Sequence, residues 1–431
     1  MVQKTIAFKS LGCKLNQYEV QALREGFLRE GFREVPWTAK PDFCVLNTCT
    51  VTEKADQEAR RFIRSWARFH PGGRMIVTGC YAEAQREEIE SFPGVSLVVG
   101  NKSKNQILYE VTRSADAIEA PSPFFERGIS YFEERSRAFV KIQDGCNYFC
   151  GFCKIPYVRG RLVSRPSSQI LDEVKRLVES GYKEIVLSGV CLGSYGRDTP
   201  EGPNLVGLLE GILSLGGHFR VRLSSIDPRD TMRDLAALMA GSGRLCPHLH
   251  LSLQSGDDGV LRRMRRGYTV QEFRGLVDFF YSEVPRMGFS TDVIVGYPGE
   301  DELAFQNTLR LLREVRFHRV HVFPYSERKG TRAVHLDGKV PAGVLKERVR
   351  FLRSALKDVT QKFIEGFLGE TLTVLAEHKR TPGGGLAGLT ENYIRCVFSG
   401  SDESQGRLVK VRMMGRNGEA LAGEEVYDGT G

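Results

Sequence analysis

Nowhere does this chain approach the run of about 18 apolar residues that a membrane-spanning helix needs. Its first residues carry no extended apolar core of a secretory signal and lead straight into the strand-like Thr5-Ile6-Ala7-Phe8. Cysteine is sparse, ten in 431 residues, far from the density of a secreted disulfide scaffold. These absences set the expectation of a cytoplasmic protein with no membrane partner. What remains is ordinary globular material, 41% apolar and 26% charged, with length for roughly two to four domains. The net charge of +8 permits an anionic partner. Its distribution is more informative. Lys and Arg strongly outnumber Asp and Glu across 310–362, beside Phe317, His318, Phe323 and Tyr325, as on a surface that faces a polyanion. From Glu370 onward seven Lys or Arg meet nine Asp or Glu, so that part is not basic overall.

The first third alternates short apolar strands with helical stretches. Thr5-Ile6-Ala7-Phe8 leads through Gly12-Cys13 into 17–23, Phe43-Cys44-Val45-Leu46 through Cys49 into 53–69, and Met75-Ile76-Val77-Thr78 through Gly79-Cys80 into 82–89. This alternation predicts a parallel sheet. Pro121, Pro123 and mixed charge over 113–137 read as a linker. Six further strands, at 139–142, 184–187, 220–223, 248–253, 291–295 and 320–323, with helices between them, predict a partial (β/α)6 barrel with its site at the strand carboxyl ends. Leu345, Val349, Leu352, Leu356, Val359 and Phe363 form one stripe, predicting a long helix over 342–367. Strand-like segments at 371–375, 393–398 and 408–412 predict a small β-barrel. The expected architecture is therefore α/β, with a parallel-sheet domain (1–112), a linker (113–137), a partial barrel (138–366) and a small β-barrel (367–431).

The few cysteines fall into two groups suited to iron and sulfur. Cys146, Cys150 and Cys153 form a C-x3-C-x2-C triplet just past the first barrel strand. Cys13, Cys49 and Cys80 each follow a strand in three successive units, so parallel-sheet geometry brings all three to one rim. A four-iron cluster usually takes four thiolates. A triplet leaves one iron open for a ligand that is not protein. Zinc would want a fourth ligand close by, and the next cysteine, Cys191, is far along the chain. A non-enzymatic iron–sulfur carrier would satisfy its clusters with four ligands each. Cys44, Cys246 and Cys396 lack partner spacing and read as structural.

The triplet, with Phe152 before its last cysteine, resembles the signature of the radical S-adenosylmethionine (SAM) superfamily. Ser188-Gly189 at one strand end, Gln254 at another and Val293-Ile294 within Asp292-Val293-Ile294-Val295-Gly296 resemble that superfamily's SAM-contacting segments. With Gly12-Cys13-Lys14-Leu15-Asn16-Gln17, Asn47-Thr48-Cys49 and Gly79-Cys80-Tyr81 included, nearly the whole chain resembles the methylthiotransferases, and the terminal β-region resembles their TRAM domain. The resemblance implies two [4Fe–4S] clusters, one at Cys13, Cys49 and Cys80 and one at Cys146, Cys150 and Cys153. It implies two SAM molecules, one used to methylate a sulfur and one to remove hydrogen from the target carbon. It also implies an electron donor such as flavodoxin or ferredoxin, and a sulfur donor.

Three subfamilies of that family compete, acting on isopentenyladenosine in tRNA, on threonylcarbamoyladenosine in tRNA, or on an aspartate of a small-subunit ribosomal protein. Cys13-Lys14-Leu15-Asn16-Gln17, Cys49-Thr50-Val51-Thr52, Leu192-Gly193-Ser194-Tyr195-Gly196 and Leu389-Thr390-Glu391-Asn392-Tyr393 resemble the threonylcarbamoyladenosine type. That implies a tRNA partner and a substrate carboxylate to be read. Arg159, Arg161 and Arg165 are the candidates, since a guanidinium binds a carboxylate through two parallel hydrogen bonds. Cys191 reads either as a small buried residue or as a neighbour of SAM.

Overall fold

The computed structural model describes residues 3–114, 117, 120–132, 135–230 and 233–427. The amino-terminal sheet contains β1 (Thr5–Ser10), β2 (Arg33–Glu34), β3 (Phe43–Thr48), β4 (Arg74–Gly79) and β5 (Val95–Val99). Its order is β2-β1-β3-β4-β5, and every pairing is parallel. β3 is buried along its whole length, as a strand covered on both faces must be. On one face lies the helix Glu53–Phe69. Thr52 caps it by accepting from the Ala55 amide, and Ala59, Ile63 and Trp66 turn inward at helical spacing. Helix Lys14–Arg29 covers the other face, and its Tyr18, Leu23 and Phe27 join a core continuous with that of the second domain.

The central domain is an open arc of parallel strands. β6 (Ala138–Lys141) pairs with β9 (Glu184–Ser188), which pairs with β10 (Arg220–Leu223). Between β6 and β9 a short antiparallel pair, β7 (Gln143–Asp144) and β8 (Val163–Ser164), brackets the cysteine triplet. Beyond Ser224 the line of β10 continues as β11 (Ser225–Ile226), which pairs with β12 (His248–Leu251), then β13 (Gly288–Val295), then β14 (Phe317–Pro324). β6 and β14, the two ends of the arc, are not paired with each other. Leu249, Leu251, Phe289, Val293 and Val295 belong to the main core. The alternate residues His248, His250, Ser290 and Asp292 share the opposite, interior face, where both histidines bond the Ser290 hydroxyl.

The last domain is a closed barrel of β15 (Thr371–Arg380), β16 (Leu386–Thr390), β17 (Arg395–Ser399), β18 (Leu408–Asn417) and β19 (Ala420–Glu425), in the order β15-β16-β17-β19-β18. It has its own apolar centre, including Leu372, Leu386, Phe398, Val411 and Leu421. Two arginines of β10 dock it. Arg220 donates to the carbonyls of Thr373 (3.0 Å) and Leu389 (2.8 Å), and Arg222 to those of Glu391 (2.9 Å) and Thr390 (3.0 Å).

Two expectations change. The stretch read as a linker is not a loose tether: Phe125, Ile129 and Phe132 are buried in the core shared by the first two domains. Prolines and mixed charge marked its irregular backbone correctly but masked these evenly spread apolar anchors. The predicted long helix divides at Leu356 into Ala342–Ala355 and Lys357–Glu365. Leu356 itself remains in the right-handed helical region, so the apolar stripe runs on across the break.

Candidate active site

Cys13, Cys49 and Cys80 follow β1, β3 and β4, neighbours whose registers align Ser10 with Asn47 and Thr48 with Gly79. Parallel strands therefore deliver the three thiols to one edge, where the charge of each bears on the others. Gly12 makes the close approach possible. Its φ is +94°, and a β-carbon there would lie 2.5 Å from the Cys49 Cβ. Behind the thiols, Asn16 donates to the carbonyls of Leu11 (2.7 Å) and Thr48 (3.0 Å), and Arg159 Nε donates to the Cys80 sulfur at 3.2 Å.

Cys146, Cys150 and Cys153 gather in the loop between β7 and β8, where the Cys153 thiol is in the field of the other two. Arg266 and Arg229 direct guanidinium groups at the Cys150 sulfur, 3.4 and 3.7 Å away. Arg229 also lies over the Tyr148 ring at 3.5 Å, and Asp227 pairs with both arginines. Cys191 turns out to adjoin the triplet. Its buried thiol engages Cys146 and lies 3.0 Å from Asp230 Oδ2. Burial pushes the Cys49 and Cys153 thiols up to about 12, whereas the bond from Cys191 brings Cys146 down to about 7. Thiols so poised become ligands only by losing protons, so loading this site releases them.

The donor set fits clusters better than a single metal ion. Among the described residues, the metal-ligating atoms that come within 4.8 Å of one another belong to His250, Asp292 and His321, not to either triplet. Zinc bound at about 2.3 Å would draw its thiolates closer than that. The expected SAM-contacting positions also carry marks of a ligand. Ser188, at the end of β9, is 1% exposed, and among the described residues its hydroxyl has no partner. At Gly189 a β-carbon would meet the Gln143 Oε1 at 2.8 Å and the Leu192 Cα at 3.3 Å, so the chain passes closely there. Gln254 is held at φ +73° by a backbone bridge to Val293, a strained conformation for a side chain of its size. Ile294 and Phe152 pack beside Tyr297 and Tyr325, and Phe152 meets Tyr297 edge-on at 6.4 Å. Val293 differs, since its side chain lies in the main core and only its backbone can face a ligand.

The three arginine candidates for substrate are placed differently. Arg159 is buried and held by Glu19 at 3.0 Å and Asp144 at 2.9 Å. Arg165 is buried against Glu173 and Tyr18. Both are paired with internal carboxylates. Arg161 is exposed on the loop.

Residues 140–312 match the family model described as the radical SAM superfamily, and residues 5–100 match the one described as uncharacterized protein family UPF0004. The threonylcarbamoyladenosine tRNA methylthiotransferase MtaB of Chlamydia pneumoniae is 41% identical over 87% of each chain. The protein of that name from Thermotoga maritima is 35% identical over 99% of this chain and 98% of its own. This chain belongs to the methylthiotransferase family of radical SAM enzymes. It is thus a transferase of the class that uses SAM and [4Fe–4S] clusters, two in the methylthiotransferases. Another family member, the tRNA-2-methylthio-N(6)-dimethylallyladenosine synthase of Carboxydothermus hydrogenoformans, is 32% identical over 96% of this chain and 97% of its own. Among solved structures, the radical SAM methyltransferase TsrM of Kitasatospora setae superposes with TM-score 0.54 at 14% identity, covering 75% of each chain, a likeness of fold. Sequence reasoning missed Asp227, Arg229, Asp230 and Arg266. The turn-rich Ser224-Ser225-Ile226-Asp227-Pro228 at a barrel strand's carboxyl end was the available signal.

Proposed function

We propose that this methylthiotransferase adds a methylthio group at ring carbon 2 of N6-threonylcarbamoyladenosine beside the tRNA anticodon. The observation that carries the reading is the near-full-length identity, 35–41%, to enzymes named for that substrate from several bacteria, above the 32–33% to the dimethylallyl type. Cys13, Cys49 and Cys80 would hold one cluster, and Cys146, Cys150 and Cys153 the other. When bound, the clusters and SAM supply the sulfur, the methyl group and the hydrogen-abstracting radical. The chain's own residues orient and exclude water. Ser188, the close backbone at Gly189 and the strained Gln254 would hold SAM in place, with Ile294 and Phe152 against its base. Arg229 and Arg266 would balance negative charge around Cys150, raising the driving force for electron uptake there. An electron donor such as flavodoxin or ferredoxin and a sulfur donor complete the scheme in the cytoplasm. Among the described residues no helix is long and apolar enough to cross a membrane.

Mass spectrometry of tRNA nucleosides tests the reading. Cells lacking the protein should lose the 2-methylthio derivative of threonylcarbamoyladenosine and accumulate its precursor. Loss of the isopentenyl derivative instead, or unchanged tRNA nucleosides with loss of the methylthio group from a ribosomal protein, would assign the enzyme to another branch of its family.

A further inference from the structure

Strand β14 closes one end of the arc, and because β6 and β14 are not paired with each other its outer edge is open. Register with β13 sets which of its side chains share the inner face. Arg319 stands opposite Ser290, His321 opposite Asp292 and Phe323 opposite Ile294. Residues paired across neighbouring strands project from the same face of a sheet. Ser290 bonds both interior histidines, and Ile294 packs beside Phe152, against the proposed place of the SAM base. Arg319, His321 and Phe323 therefore form one row along β14, running toward the proposed SAM pocket at the strand's carboxyl end. The ring positions agree, with His321 5.8 Å from His250 and 6.4 Å from Phe323.

A cavity of about 900 Å³ opens along this edge, where β14 faces the last domain, and all three residues of the row line it. The arginines around it differ in what already holds them. Arg137 lies 3.8 Å from the Glu184 carboxylate, Arg353 donates to the Val322 carbonyl at 2.8 Å, and Arg395 lies 3.7 Å from Glu377. Arg319 is exposed, and among the described residues no hydrogen bond or ion pair engages its guanidinium. Phe323, a large apolar ring, is 42% exposed in the same cavity. Four residues of strand separate the two, about 13 Å along the chain. A purine stacked at the Phe323 end would carry its N6 substituent toward the other, where an extended arginine side chain meets it.

We infer that Arg319 and Phe323 form the subsite for the modified base, Phe323 stacking on the purine and Arg319 pairing with the threonyl carboxylate through two parallel hydrogen bonds. The inference rests on the substrate reading above and deepens it. A planar guanidinium matches the two oxygens of a carboxylate, which a lysine ammonium does not. Arg319 is solvated in the free enzyme. Selectivity therefore comes from the bond that the acid gains, not from a charge stranded in its absence.

The test uses the reconstituted enzyme and anticodon stem-loop RNAs carrying threonylcarbamoyladenosine either as the free acid or as its neutral methyl amide. Binding is read by fluorescence anisotropy and turnover by product mass, with iron content measured so that variants are compared at equal loading. The unaltered enzyme should bind the acid roughly tenfold tighter than the amide. Arg319→Met should bring that ratio close to one while binding of the amide stays nearly as it was, and Arg319→Lys should fall between. Phe323→Ala should weaken acid and amide by a similar factor, roughly tenfold, with the ratio kept. Both side chains are exposed, so neither substitution opens the core. Arg319→Met protein that still prefers the acid overturns the inference. So does one that loses acid and amide alike, the mark of a phosphate contact, and so does unchanged binding by Phe323→Ala. These three results leave the substrate reading intact. Equal binding of acid and amide by the unaltered enzyme overturns the inference with no variant needed. Turnover of an isopentenyl stem-loop in place of both removes the substrate reading and the inference together.

Discussion

At Glu19 three cations from three parts of the chain meet one carboxylate: Lys104, Lys141 at 2.8 Å and Arg159 at 3.0 Å, with the Asn47 amide donating at 3.0 Å. Removing one partner of a buried pair leaves charge stranded, so Glu19→Ala should cost about 3–5 kcal/mol in chemical denaturation. Burial alone would raise the Glu19 carboxyl, but Arg159 and the two lysines overcome it and hold it well below the usual range. A depressed carboxyl stabilises the fold above its unfolded value of about 4.3 and loses that contribution as pH falls. The wild type should therefore lose stability below about pH 4 more steeply than a Glu19→Gln variant. The cysteines divide by position. Cys49→Ala and Cys150→Ala should each lower bound iron by about half, from about eight per chain. Cys49→Ala should keep SAM cleavage and lose sulfur insertion, and Cys150→Ala should lose 5′-deoxyadenosine formation. Cys44, buried within β3 among apolar neighbours, should become Ala with full iron content. An iron loss for Cys44→Ala equal to that for Cys49→Ala would undo this division. Both triplets were legible because strand-end and local spacing carry their signal. The surroundings of Arg159 and Arg165 were not, because an arginine on a cluster loop looks alike facing water or core, and one partner of Arg159, Glu19, lies 140 residues away.

Strand β10 reads Arg-Val-Arg-Leu, which in a sequence suggests one solvated face. In the fold that face is buried, and its guanidinium groups are divided between Glu184 and four carbonyls of the last domain. Tyr393 completes the seam, with Arg222 over its ring at 4.6 Å and His248 against it at 4.6 Å. The small β-barrel was foreseeable from its short strands and turns, but its seat was not, since backbone carbonyl acceptors leave no trace in residue identity. Lysine cannot reproduce a planar fork that serves two carbonyls and a carboxylate at once. Arg222→Lys should loosen the seam, seen as faster amide exchange across β15 and β16 while exchange in β1, β3 and β4 stays unchanged. Burial opposes the ionisation of Glu184, yet Arg222 and Arg220 hold its carboxyl far below its ordinary value. Docking should therefore persist through neutral pH and weaken only in strong acid, as that carboxylate gains a proton.

Across the whole molecule the basic excess does not sit in the terminal β-region that resembles a TRAM domain. The last domain has more acids than bases. The positive surface instead follows β14 and the helices after it, around the cavity that Arg319, Arg353, Lys357 and Arg395 line. A phosphate backbone lying there would place an anticodon base at the gap in the barrel, within reach of the interior. Such contacts release counterions, so affinity should fall linearly with salt on a log–log plot, each phosphate contact adding about 0.7–0.9 to the slope. Lys357 is exposed and lines the cavity without building the core. Lys357→Ala should therefore weaken tRNA binding and flatten the slope by about that amount, equally for threonylcarbamoylated and unmodified tRNA, because phosphate contacts carry no information about the base. Lys175, exposed on helix Ser167–Glu179, is the control, and Lys175→Ala should leave the slope as it was. A flatter slope for Lys175→Ala and none for Lys357→Ala would move the RNA path to another face. It would also remove the route by which the anticodon base reaches the barrel interior.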